Sequence, residues 1–159
     1  NDKSLSMSAY NDALSWAAAY CSKSEHCVAD VLAKLDKYEL SSAEKQRLIA
    51  YLEQEKYLDE ARYARSYAMD QFRFAHWGRL KIAQALRMKR ISDQNIQNAL
   101  EEIPHEEYMQ VLRHLLQEKQ KKITAKNDYE YTMKLLRFAY GRGFEPEHIR
   151  QCINFSDDF

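Results

Sequence analysis

The sequence predicts an all-α protein assembled from three tandem three-helix repeats. Three observations carry that expectation. Only three glycines and two prolines occur in 159 residues, which leaves little material for the tight hairpin turns of an antiparallel sheet. Apolar residues recur at three-to-four spacing, and no strand-like alternation competes with them. The chain also resembles itself: Lys81, Ile82, Ala83, Ala85, Lys89, Ile91, Ile96 and Leu100 correspond, 53 positions later, to Lys134, Leu135, Leu136, Phe138, Arg142, Phe144, Ile149 and Ile153. Repeated helical units bury their apolar faces against neighbours, so a recurring pattern of this kind predicts a stack of similar units.

Residues 1–8, NDKSLSMS, read as a flexible N-terminus. The first repeat is placed at 9–57. It opens with a helix from Ala9 to about Cys21. Val31, Leu32, Leu35 and Leu40 then match the middle unit at an offset of 51, and Leu48 and Leu52 match Ile96 and Leu100 once three residues are inserted. Ser41 followed by Glu44 is a capping box for the third helix of that unit. The second repeat, 58–103, starts with a helix from Asp59 to about Phe74, and Ser92 is positioned to cap its last helix. The third repeat, 104–159, has Pro104 in a first helical turn and a helix running to about Ile123. Tyr108, Leu112 and Leu115, then Leu135, Phe138 and Ala139, supply its buried faces. Gly78, Gly141 and Gly143 fall where helices should break, and Ser156 to Phe159 read as a frayed end.

Composition and motifs exclude several classes of function. No apolar run approaches the roughly 20 residues that span a bilayer, and the polar start is unlike a signal peptide, so a cytoplasmic protein without membrane contact is expected. Cys21, Cys27 and Cys152 form an odd, sparse set without zinc-site pairing. Cys21 and Cys27 would fall on different sides of one helix, so buried thiols rather than metal ligands are expected. No glycine-rich phosphate loop occurs, and the five histidines accompany no nucleophile motif. Asp59 and Glu60 suit the start of a helix better than acid–base chemistry. The chain is therefore read as a non-enzyme that needs no cofactor and no metal. With no sustained heptad seam it is expected to be a monomer.

Charge is distributed unevenly within a chain whose formal net charge is zero. Between Arg62 and Arg90 the bases are Arg62, Arg65, Arg73, Arg79, Lys81, Arg87, Lys89 and Arg90, against a single acid, Asp70. Glu25 to Glu60 holds nine acids and five bases. A charged helix face is often merely solvated, but this polarity predicts an oriented partner. Arg62 with Arg65, and Arg87 with Arg90, are each three apart and are expected to share a helix face able to meet carboxylates or phosphates. Phe72 and Phe74 read as packing residues. Trp77, beside Gly78 in a connection, is a candidate contact residue with the eight bases. The tyrosines elsewhere read as packing residues with a polar tip.

The residues Tyr57-Leu58-Asp59-Glu60-x-Arg62-Tyr63-Ala64, then Gly78-Arg79-x-Lys81-Ile82 with Leu86 and Lys89-x-Ile91, and finally Arg137-Phe138 and Arg142-Gly143-Phe144, resemble the RecX regulators of bacterial RecA recombinase. The first unit's Ser24 and Lys34-Leu35 are similar more loosely. Two departures stand out: His76-Trp77-Gly78 replaces a common Gly-x-Gly, and Lys89-Arg90 replaces a common Lys-Gly. The Trp-Gly form resembles a Bacteroidetes-type branch. The resemblance implies an elongated, curved stack that binds the RecA filament on DNA and negatively modulates its recombinase, ATPase and coprotease activities. It also implies weak or filament-associated contact with single- or double-stranded DNA. Two other readings are a direct DNA-binding helical module, which near-zero net charge disfavours, and a generic α-helical interaction scaffold.

Overall fold

In the computed structural model, which describes the backbone of residues 2–153 and side chains from residue 7 onward, the elements are helical throughout. They are α1 (Asp2–Lys23), α2 (Val28–Leu35) with a 3₁₀ turn at Asp36–Tyr38, α3 (Ser42–Gln54), α4 (Glu60–Ala75), α5 (Arg79–Met88), α6 (Asp93–Glu101), α7 (His105–Gln120), α8 (Asp128–Gly141) and α9 (Pro146–Cys152). The most extensive helix contacts fall within α1–α3, within α4–α6 and within α7–α9, so the fold is a series of three-helix units. Helix α1 runs back through the segment read as a flexible start, where DKSLSMS offers no glycine or proline to stop it. Ser156 to Phe159 lie outside the described residues.

Local chemistry sets most boundaries. Ser41 Oγ accepts the Glu44 N–H at 3.1 Å while Glu44 Oε1 accepts the Ser41 N–H at 2.9 Å, the reciprocal capping box expected. Asp59, Ser92 and Asn127 each accept the N–H three residues on, at 3.0, 3.2 and 2.8 Å. Pro104 stands one place earlier than expected, as the N-cap of α7 rather than inside its first turn. The middle helix of every unit ends on a left-handed residue at the same repeat position: Glu39 (φ 43°), Arg90 (φ 62°) and Gly143 (φ 100°). The turn is closed in the same way in the second and third units, by Ile91 N–H on the Leu86 carbonyl and Phe144 N–H on the Ala139 carbonyl, both at 3.1 Å.

Two cores result. Ala13, Ala17, Val31, Leu35, Leu48 and Leu52 fill the first, which also takes Leu58, a residue assigned by sequence to the following repeat. The second is continuous across α4–α9 and contains Phe72, Ile82, Leu86, Tyr108, Leu112, Leu135, Phe144 and Ile149. Cys21 and Cys27 are both buried, but not on one helix as expected. Cys21 belongs to α1 and the first core, and Cys27 caps α2 and enters the second, because the chain turns between them. Burial pushes the Cys21 thiol up to about 11, so it stays protonated at neutral pH.

Candidate functional site

The eight bases of the middle unit divide into three groups once folded. Four reach out of their own unit. Arg62, in the first turn of α4, donates through Nε to Glu25 Oε1 at 2.8 Å and through Nη2 to the Lys56 carbonyl at 3.1 Å. Lys89 Nζ meets Asp30 Oδ1 at 2.8 Å. That hydrogen bond raises the Lys89 ammonium; burial pushes Asp30 up, but the bonds from Lys89 and from the Cys27 N–H outweigh it and leave the carboxyl below its ordinary range. Glu60 adds a third tie by accepting the Val28 N–H at 3.4 Å, and burial raises its carboxyl. On the opposite side Arg73 makes two near-parallel bonds to Glu107, at 3.2 and 3.3 Å.

Arg79, the fourth, is the centre of the junction between the second and third units. Its guanidinium lies 3.9 Å from the centre of the Tyr108 ring and reaches Glu145 at 3.4 Å and the Leu100 and Ile103 carbonyls at 3.5 and 3.4 Å. The Tyr108 hydroxyl donates to Glu145 and accepts the Arg79 backbone N–H at 3.0 Å. Burial and the bond to Glu145 push this phenol far up, so it remains a neutral donor. His148 Nδ1 lies 3.3 Å from Glu145 without hydrogen-bond geometry. The flanking amides at the start of α5 are also taken by the third unit. Gly78 N–H donates to the Arg142 carbonyl and Leu80 N–H to the Gly143 carbonyl, both at 2.8 Å. Helix starts with free amides bind anions; this one is already occupied by protein.

Arg65 and Arg87 form looser contacts within the unit, 3.7 Å to Glu102 and 3.7 Å to Asp93. Lys81 and Arg90 have no carboxylate partner among the described residues. Lys81 Nζ rests 4.6 Å from the centre of the half-buried Trp77 ring, a cation–π contact that holds the ammonium at the surface. The expected Arg87–Arg90 helix face does not form: α5 ends at Met88, and the left-handed Arg90 turns the chain away. Also exposed on α5 are Met88, at 81%, and Leu80, at 42%. Phe72 is buried as expected, but Phe74 is 82% exposed, because the residue two places on along a helix points to another side. The tyrosines split likewise: Tyr63 and Tyr108 are buried, whereas Tyr129 and Tyr140 face solvent.

Residues 59–100 match the model for the second three-helix domain of RecX, and residues 106–153 match that for the third, together more than half of the chain. The chain belongs to the RecX family. It is 28% identical over 137 residues to a regulatory protein RecX of Vibrio parahaemolyticus serotype O3:K6 (strain RIMD 2210633), covering 86% of each chain. It is 34% identical over 98 residues to that of Vibrio vulnificus (strain CMCP6), covering 62% of each. In fold it resembles a crystal structure of RecX from Lactobacillus salivarius, with a TM-score of 0.84 at 18% identity over 92% of this chain and 96% of that one. A second RecX crystal structure gives a TM-score of 0.82 at 19% identity. A regulatory role and the all-helical repeat expected from sequence accord with this membership. No helix among the described residues is long and apolar enough to cross a membrane.

Sequence reasoning missed the structural duty of Arg62, Arg73, Arg79 and Lys89, and it missed Glu145 altogether. A signal was present for one pair. Lys89 and Arg142 occupy equivalent repeat positions, and both reach back into the preceding unit, Lys89 to Asp30 and Arg142 Nη2 to the Ala75 carbonyl at 2.8 Å. The cation shared by the ends of the middle helices of the second and third units is thus a joint to the preceding unit.

Proposed function

We propose that the chain binds the RecA filament on DNA and restrains it, lowering recombinase, ATPase and coprotease activity without catalysing a reaction of its own. Family membership supports a regulator. The observation that carries the reading to a surface is α5 and its exit, where Lys81 and Arg90 have no carboxylate partner among the described residues and Met88 and Leu80 are exposed. Cations with apolar neighbours suit a partner that presents both protein and phosphate. Arg87, 61% exposed and 3.7 Å from a nearly free Asp93, is available to the same partner. Arg62, Arg73, Arg79 and Lys89 then act chiefly by holding that face in place, with Trp77 supporting Lys81, and Arg65, 44% exposed and 3.7 Å from Glu102, is available as Arg87 is.

The test is single-stranded-DNA-dependent ATP hydrolysis by the cognate RecA with substoichiometric amounts of this chain. Inhibition is expected, and the double reversal Lys81→Glu with Arg90→Glu should raise the amount needed for half-inhibition by roughly tenfold or more. No inhibition of filaments verified to form would sink the reading. Tight, salt-sensitive binding to naked duplex would move it to a DNA-binding module.

A further inference from the structure

Between α8 and α9, on the third unit, lies a notch of about 210 Å³ walled by Leu136, Tyr140, Pro146 and Ile149 and rimmed by Arg137 and Arg150. Both arginines are exposed, and neither has a carboxylate or carbonyl partner among the described residues. Tyr140 is 58% exposed.

The repeat provides an internal control for what the fold alone requires here. In the second unit the equivalent of Tyr140 is Arg87 and that of Pro146 is Asp93, and these two form an ion pair at 3.7 Å. In the first unit the same two positions hold Asp36 and Lys45, paired at 3.2 Å with the signs reversed. Two units therefore set opposite charges at this corner, in pairs that remain largely exposed. The third replaces the pair with an aromatic ring and a proline, opening an apolar recess. The same comparison sets Arg137 against Gln84 and Arg150 against Gln97, both exposed glutamines. The third unit thus has an aromatic ring and a proline where the others have a surface charge pair, and it carries two unpaired cations on the rim; packing of the unit asks for neither.

We propose that this notch is a docking site for an acidic peptide segment of a protein partner, one that inserts a single bulky apolar side chain between carboxylates held by Arg137 and Arg150. Guanidinium groups take carboxylates bidentately, and a small apolar recess rewards one anchoring side chain. A nucleic-acid backbone would satisfy the arginines but leave the recess unfilled. Tyr140 also borders Leu80 and Lys81 of the α5 face, but the argument for the notch does not rest on the filament reading.

The experiment is backbone amide NMR of the full chain titrated with an acetylated pentapeptide of one phenylalanine flanked by two aspartates on each side. Shifts are expected to concentrate at residues 136–150, and to need roughly tenfold more peptide when the phenylalanine is replaced by alanine. A similar loss is expected in the Arg137→Gln, Arg150→Gln variant, which restores the second unit's glutamines and should leave the rest of the spectrum unchanged. Absence of shifts at millimolar peptide overturns the proposal, as does equal response to the alanine peptide or preferential response of these residues to octathymidylate. If Asp157→Asn with Asp158→Asn moves the same resonances without peptide, the notch belongs to the chain's own 154–159. If dilution moves them, it belongs to a second copy. Either result overturns the partner assignment. The peptide titration and the ATPase assay read different events, so the two proposals fail separately.

Discussion

Gly78 and Gly143 meet across the junction of the second and third units, and there the backbone leaves no space for a side chain. A Cβ on Gly78 would lie 2.3 Å from the Gly143 carbonyl carbon and 2.4 Å from the Phe144 nitrogen; one on Gly143 would lie 2.4 Å from Lys81 Cβ. Gly143 also has φ of 100°, a conformation that glycine adopts without steric cost. Gly78→Ala is therefore expected to destabilise the protein by about 1–3 kcal/mol or more, since backbone cannot give way as a flexible side chain does. A urea melt monitored by circular dichroism checks this. An unchanged midpoint would mean that the junction is not closed in solution. Arg90, at the position equivalent to Gly143, adopts the left-handed conformation (φ 62°) with an exposed side chain.

At the scale of elements, side-chain ion pairs join the first and second units alongside the burial of Cys27 in the second core, and these pairs make the junction sensitive to pH. Asp30 has its folded-state pKa lowered and Lys89 has its raised. A lowered carboxyl contributes stability above its unfolded value, about 3.9, that is lost as pH falls through the folded value. A raised ammonium contributes stability below about 10.4 that is lost as pH rises through its own folded value. The Asp30–Lys89 tie should therefore hold across neutral pH and weaken below about pH 4, while the raised Glu60 carboxyl, which gains on protonation, offsets part of that loss. Hydrogen exchange of the α2 amides between pH 7 and 3.5, corrected for intrinsic rates, is expected to show selective deprotection at the acid end. In Asp30→Asn that deprotection should already be present at pH 7. Equal protection throughout would show that the pair contributes nothing to the junction.

For the whole molecule, two cores predict two degrees of coupling. The second and third units share one core and backbone hydrogen bonds, so they should unfold together, while the first unit has a core of its own. Repeat proteins behave as near-neighbour chains in which interface strength decides cooperativity. Phe144→Ala removes a fully buried ring and should cost about 3–5 kcal/mol. It should lower hydrogen-exchange protection in both α4–α6 and α7–α9. Leu35→Ala, at about 2–5 kcal/mol, should lower it in α1–α3 alone. Uniform loss throughout the chain in both variants would show a single cooperative unit instead.

Helical class, the three-helix period, the Ser41, Asp59 and Ser92 caps and buried positions such as Phe72, Tyr108, Leu112 and Leu135 were legible in the sequence, because each depends on residues a few places apart. The basic stripe was legible as composition but not as surface. Arg62 finds Glu25 at a separation of 37 residues, Lys89 finds Asp30 at 59, and Arg79 finds Glu145 at 66. The sequence by itself determined that the middle unit would be cationic, that Asp59 and Ser92 would start two of its helices, and that the pattern would recur. Only the tertiary structure decided which cations are joints and which are free, and that the third unit's corner is open. Helix periodicity and capping are local, whereas charge pairing and enclosure depend on distances through space that chain separation does not encode.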